Sequence, residues 1–133
     1  MFIYYNPNPL GKQVGDCTIR AISALLGKTW DEVYDDLCSE GKLLADMPSG
    51  NTVWASYLRK CGYVSVPLVN TCPDCFTVYD FCRRNKTGRF LLSIGNHVVT
   101  VINGDHYDSW DSGNEVPVYY WVRKGEPYAD IWK

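Results

Sequence analysis

The apolar residues of this 133-residue chain change their spacing from helical in the first half to strand-like in the second. Three segments before residue 62 repeat apolar residues every three or four positions, the period of a helix buried on one face. From residue 88 onward, runs of branched and aromatic residues alternate with turn sequences, as strands do. Helices that precede strands, rather than alternating with them, indicate an α+β domain.

The first predicted helix directly follows a loop. Residues 1–15 are rich in asparagine, proline and glycine, so we expect an extended lead-in. Asp16 is a favourable cap for a helix over residues 17–26, and Gly27 ends the helical spacing. Cys17 is therefore predicted to lie in the first helical turn.

Three further helices are predicted. The second begins at Thr29, which forms a capping box with Glu32, and is expected to end at Gly41. A third helix covers residues 51–61, and a fourth, opened by a proline, covers residues 74–85.

Five strands are predicted, and they are expected to form an antiparallel β-sheet against which the N-terminal helices pack. A short strand covers residues 63–68, where Pro67 indicates a sheet edge or a strand end. Four consecutive strands follow, over residues 89–94, 98–102, 107–110 and 116–122. The length suits a single domain covering residues 1–133.

Composition and charge exclude several classes of partner. Thirteen lysines and arginines stand against fifteen aspartates and glutamates, and no basic stripe is present, so nucleic acid is not an expected partner. No segment has the roughly 20 apolar residues of a membrane span, and residues 1–7 lack a basic region followed by an apolar run, so no secretion signal is expected. We predict a cytoplasmic protein, in the host cytoplasm if a phage encodes it. Its six cysteines are expected to be reduced.

Cys17 is the best candidate nucleophile. The free amide groups and the dipole at a helix start stabilise a thiolate, so its pKa is expected to fall. The alternative is an ordinary buried cysteine, which is the commoner role of this residue type.

The chain has two histidines, so the choice of a base for Cys17 is narrow. His97 directly precedes a predicted strand and lies where a strand opens. His106 lies in or beside the Asn103-Gly104 turn and is expected to be exposed. His97 is therefore the better candidate base.

A catalytic imidazole needs a third group to orient it, and two aspartates are available. If a two-residue loop joins the strands, odd positions pair with even ones, which puts His97, Asp108 and Trp110 on one face. With a three-residue loop the parity reverses and Asp111 takes the role. Both assignments stay open at this point.

Three short motifs together resemble the papain superfamily of cysteine peptidases. They are Gly-Asp-Cys at residues 15–17, Gly-Asn-His-Val-Val at 95–99 and Asp-Ser-Trp at 108–110. The chain is most similar to compact bacterial and phage-type members and to the peptidase domains of bacteriocin-exporting transporters. The resemblance covers residues 11–113.

The resemblance implies a papain-like fold and a cysteine peptidase or amide hydrolase acting on a protein or peptide. Its triad would be Cys17, His97 and Asp108, it would form a thioester acyl-enzyme, and it would need no cofactor or metal. In this family a glutamine upstream of the nucleophile donates to the oxyanion hole, usually six positions before it. Here the candidate is Gln13, four positions before Cys17. Asn8 or Asn6 could serve as this donor instead. The backbone amide of Cys17 should contribute to the oxyanion hole in any case.

Other interpretations compete with this one. Cys72 and Cys75 have the spacing of a zinc knuckle, but Cys82 together with Cys61 or His106 would have to complete the site. A non-catalytic binding or inhibitor protein on the same scaffold is a second possibility. A third is an acyltransferase or transglutaminase-like enzyme with the same triad.

Overall fold

The computed structural model describes residues 1–69 and 75–131, and in these residues it contains four helices and six strands. The helices are α1 (Cys17–Leu26), α2 (Trp30–Leu44), α3 (Asn51–Lys60) and α4 (Val78–Arg84). The strands are β1 (Phe2–Tyr4), β2 (Tyr63–Pro67), β3 (Arg89–Ser93), β4 (Val98–Ile102), β5 (Asp105–Asp108) and β6 (Tyr119–Arg123). None of the described helices has the length and apolar character needed to cross a bilayer.

The strands form one mixed sheet in the order β1-β5-β4-β3-β6-β2. Strands β2 to β6 pair antiparallel, and β2 lies at an edge, as its proline predicts. A two-residue turn joins β4 to β5, because Ile102 pairs with Asp105. Asn103 and Gly104 both have positive φ there, which suits the tight turns preferred in hairpins.

The prediction of a purely antiparallel sheet is wrong at one edge. Residues 2–4, expected to belong to a loop, form β1 and pair parallel to β5, with Ile3 opposite Tyr107. The turn-forming residues begin only at Asn6, so the apolar start of the chain is free to add a strand. This pairing places β1 along the outer edge of β5, the strand that ends at Asp108.

The sheet separates two apolar cores. Helices α1, α2 and α3 pack on one face, where α1 lies over β3 and β4 through Ile22, Leu25 and its neighbours. Helix α4 packs on the other face. Alternate residues of the central strands therefore face opposite cores, and Leu91 and Leu92 are one such pair.

Two helix boundaries differ from the predictions. Helix α2 continues three residues beyond Gly41. A Cβ at Gly41 would lie 2.7 Å from the Asp46 carbonyl oxygen, so this glycine permits a close approach and does not end the helix. Helix α4 begins at Val78 after a capping box at Thr77, and the proline expected to open it lies outside the described residues.

The predicted β5 and β6 are shifted along the chain. Strand β5 begins two residues before its predicted start and β6 three residues after it. The other elements that were predicted, apart from α2 and α4, lie within a residue of their predicted bounds, and these include α1, which carries Cys17 at its first position.

Candidate active site

Cys17 is the first residue of α1, and its half-buried thiol lies against the start of β4. Burial acts to raise the pKa of Cys17. Hydrogen bonds from His97 and from the Val98 amide, together with the charges of His97 and Arg20, outweigh this effect and hold the pKa below its ordinary value of 9.0. The site therefore favours a thiolate.

His97 lies in the β3–β4 turn, one residue before β4. Its Nε2 is 2.6 Å from Asp108 Oδ2, which leaves Nδ1 as the ring nitrogen available to Cys17. Burial acts to lower the pKa of His97, but hydrogen bonds with Asp108 and Cys17 raise it to about 9. The Trp110 ring lies 4.8 Å from the imidazole, centroid to centroid, and covers part of it.

Asp108 is the last residue of β5, and its carboxylate is fully buried. Besides His97, it accepts hydrogen bonds from the Ser112 hydroxyl at 2.7 Å and the Ser109 amide at 2.8 Å. Arg20 Nε donates to it at 3.2 Å. Burial acts to raise the pKa of Asp108, but the hydrogen bond and charge of His97, followed by the Ser112 and Ser109 bonds, lower it. The carboxylate therefore stays ionised.

Asp16 has a different role from the predicted one. It occupies the cap position of α1, but its side chain makes no capping hydrogen bond. One carboxylate oxygen accepts from Arg20 at 2.8 Å, and the other accepts from the Trp30 indole at 2.9 Å. The sequence interpretation missed Arg20, although its position four residues after Asp16 is a recognised spacing for an ion pair on a helix.

Gln13 is exposed, and its amide donates to the Tyr4 hydroxyl at 3.1 Å. Asn6 and Asn8 shape the same loop, the former by donating to the Lys12 carbonyl and the latter by accepting from the Lys12 amide. Among the described residues, the hydrogen bonds of these three side chains run within the lead-in segment and not to the other site residues. A role in an oxyanion hole stays a prediction for each of them.

His106 is fully buried, so the prediction that it is exposed is wrong. Its Nε2 lies 2.9 Å from Asp111 Oδ1, and its Nδ1 lies 3.9 Å from the Cys82 sulfur. The rings of Phe2 and Tyr79 pack against it, so β1 and α4 cover what the turn alone would expose. Of the two aspartates predicted as alternatives, Asp108 therefore pairs with His97, and Asp111 pairs with His106.

Four cysteines take part in no disulfide bond in the described residues. Cys17, Cys38, Cys61 and Cys82 are free. Within residues 1–69 and 75–131, no group of three histidine, cysteine, aspartate or glutamate side chains is arranged to hold a metal ion. The predicted zinc knuckle includes Cys72, which lies outside the described residues.

A cavity of about 400 Å³ lies between the start of α1, helix α2 and the loop after α2. Its wall includes Gly15 and Thr18, on either side of the Asp16-Cys17 pair, and the stacked rings of Trp30 and Tyr34, 5.1 Å apart. A larger depression of about 540 Å³ lies where β3 begins and β6 ends, away from Cys17. The smaller cavity is thus the one beside the start of α1, although Cys17 itself is not among its lining residues.

Comparisons with known proteins give no assignment. No protein-family model matches the chain, and no curated protein and no solved structure matches it either. The function must therefore be inferred from the geometry and electrostatics of the site itself.

Proposed function

We propose that this chain is a papain-like cysteine hydrolase that cleaves an amide bond in a protein or peptide. Cys17 is the nucleophile, His97 the acid and base, and Asp108 the group that orients the imidazole. The observation that supports the proposal most is the hydrogen-bonded chain from the Cys17 thiol through His97 to a fully buried carboxylate. A reducing cytoplasm would keep this thiol active.

The opposite shifts in the pKa values of Cys17 and His97 support these roles. The pKa of His97 is raised to about 9 while that of Cys17 is lowered, so both shifts favour the proton on the imidazole over the proton on the thiol. A thiolate beside an imidazolium is a nucleophile that already has its proton donor in place.

In acylation, the Cys17 thiolate attacks the carbonyl carbon of the substrate. A carbon–sulfur bond forms, and the carbonyl electron pair moves to oxygen. The oxyanion then reforms the carbonyl, the carbon–nitrogen bond breaks, and the His97 imidazolium gives its proton to the departing amine. Buried Asp108 holds the ring in place during the transfer.

In deacylation, neutral His97 takes a proton from water, and the hydroxide attacks the thioester carbon. The carbon–sulfur bond breaks, the carboxylic acid leaves, and the thiolate and imidazolium are restored. The oxyanion of each step would be held by the amide of Cys17, since the first amides of a helix have no partner within it. Gln13 is the proposed second donor.

The first test is the pH dependence of iodoacetamide alkylation, followed at each cysteine of the native protein by mass spectrometry. We expect Cys17 to react rapidly below about pH 8, where an ordinary thiol is mostly protonated, and to lose this reactivity in His97→Ala. Cys82 serves as an internal control, because burial raises its pKa to about 11.

The matched control is Cys38→Ala, which removes another half-buried thiol and should leave Cys17 labelling unchanged. If Cys17 reacts no faster than Cys38 or Cys61, the proposal is wrong and a binding role becomes the better account. Once a substrate is found, adding a primary amine separates hydrolysis from acyl transfer, because an acyltransferase would give the amide product.

A further inference from the structure

The orienting aspartate of this site has two cationic partners. His97 binds one oxygen of the Asp108 carboxylate at 2.6 Å, and Arg20 Nε binds the other at 3.2 Å. Arg20 also binds Asp16 at 2.8 Å, and the side chains of Arg20, Asp16 and Asp108 are 6%, 4% and 0% exposed. The guanidinium is thus fixed between two buried carboxylates.

Stability alone is a weak explanation for this arrangement. Burying charged groups costs solvation, and a buried ion pair or triad often stabilises a fold no better than apolar residues of similar size. Arg20 also lies three residues after Cys17 on α1, close enough for its charge to act on the thiol. Arg20 therefore contacts Asp108 at one end of the proposed triad and acts through its charge on Cys17 at the other.

We propose that Arg20 is a positioning residue of the Cys17 site, with Asp16 as its counter-charge. It holds the Asp108 carboxylate in the orientation that His97 needs, and its charge, partly balanced by Asp16, sets how readily the thiol ionises. This inference rests on the proposed function, because it concerns the reactivity of the same thiol.

The charges of Arg20 and Asp16 predict that removing each residue has an opposite effect on the pH at which Cys17 becomes reactive. The Arg20 cation stabilises the Cys17 thiolate, so removing it raises the pH at which the thiol becomes reactive. The Asp16 anion opposes ionisation, so removing its charge lowers that pH. In the described residues, five charged or titratable groups are bonded within this network: Cys17, His97, Asp108, Arg20 and Asp16. The other nearby aspartate, Asp111, faces His106 instead.

The test compares alkylation profiles of Cys17 in three variants. Arg20→Met should move the rise of the profile to higher pH by about one unit, and Asp16→Asn should move it to lower pH. Arg20→Lys keeps the charge without the planar fork, so its profile should rise near the parent's pH but reach a lower maximum rate.

The matched control is Asp36→Asn. It removes the same charge from a carboxylate on α2 that pairs with Lys28 and Tyr57, and the profile of Cys17 should not move. Circular dichroism checks the fold of each variant. If Arg20→Met does not fold, the shift in Asp16→Asn, which has the size and shape of the parent residue, still decides the question.

A purely structural role would lower the rate in every variant without moving the profiles in opposite directions. Shifts in the same direction, or no shift in Asp16→Asn, would overturn the proposal for Arg20 while leaving the proposed function intact. If Cys17 of the parent shows no selective reactivity below about pH 8, the proposed function fails, and this inference fails with it.

Discussion

At the scale of single residues, the chain holds two sets of the same chemical groups. His97 and His106 each place Nε2 against an aspartate, at 2.6 and 2.9 Å, and each lies near a cysteine. Cys17 begins a helix and has a lowered pKa, whereas Cys82 lies in the middle of α4, is 2% exposed and has its pKa raised by burial to about 11. Helix position and burial, rather than residue type, separate the thiol with a lowered pKa from the one with a raised pKa.

The two aspartates can be separated by matched substitutions. Asp108→Asn should lower the rate of Cys17 alkylation near pH 6.5 by about tenfold or more, because His97 loses the carboxylate that keeps it protonated and oriented. Asp111→Asn should leave the rate within about twofold of the parent, since its partners belong to a separate group. Equal rates in the two variants would contradict the assignment of Asp108.

At the scale of elements, α2 illustrates how a glycine can mislead. Gly41 reads as a helix end, but it lies inside α2, and Ala45 in the left-handed region ends the helix. The absent side chain at Gly41 lets the chain fold back, so that the Asp46 carbonyl approaches the helix closely. The turn that follows leads to the loop that forms part of the cavity beside the start of α1.

This close approach can be tested by stability. Alanine normally favours a helix over glycine by roughly 1 kcal/mol, but Gly41→Ala should lower the free energy of unfolding by about 1–3 kcal/mol because its Cβ would meet backbone. Urea unfolding measures the change. Ser39→Ala, on an exposed position of the same helix, is the control and should not destabilise the protein. A stabilised Gly41→Ala variant would show that the contact is not as tight as described.

At the scale of the whole molecule, folding shifts the pKa values of two site residues in opposite directions. The pKa of His97 rises from 6.5 to about 9, so the folded chain binds more protons there, and the pKa of Cys17 falls below 9.0, so the folded chain binds fewer there. The two shifts therefore oppose each other in their effect on the pH dependence of stability.

Removing Cys17 should reveal the contribution of His97 to the pH dependence of stability. In Cys17→Ala, Asp108 still raises the pKa of His97, so the folded state binds more protons at this residue than the unfolded state. The resulting stability is complete below about pH 6.5 and is lost as the pH rises through the folded pKa, by up to about 1.4 kcal/mol per pH unit.

Urea unfolding of the parent and of Cys17→Ala at a series of pH values measures this difference, and other titrating groups cancel in the comparison. Cys38→Ala should follow the parent. Parallel curves for the parent and Cys17→Ala would contradict the opposing pKa shifts of Cys17 and His97.

Features that depend on neighbouring residues could be predicted from the sequence alone. The spacing of apolar residues and a terminal glycine place α1 and its first residue, Cys17. The Asn103-Gly104 pair predicts a tight turn between β4 and β5, while the two-residue length that sets their register was seen only in the structure. Periodicity, capping and turn geometry are local interactions, which is why the sequence determines them.

Features that depend on distant residues were decided only by the tertiary structure. Arg20 meets Asp108 across 88 positions, β1 pairs parallel with β5, and His106 is buried under both β1 and α4. By strand alternation the side chain of Asp108 would lie on the same sheet face as that of His106. Asp108 is the last residue of β5, however, and its carboxylate contacts Arg20 on α1. Such contacts join elements far apart along the chain, and no local pattern specifies which elements will meet.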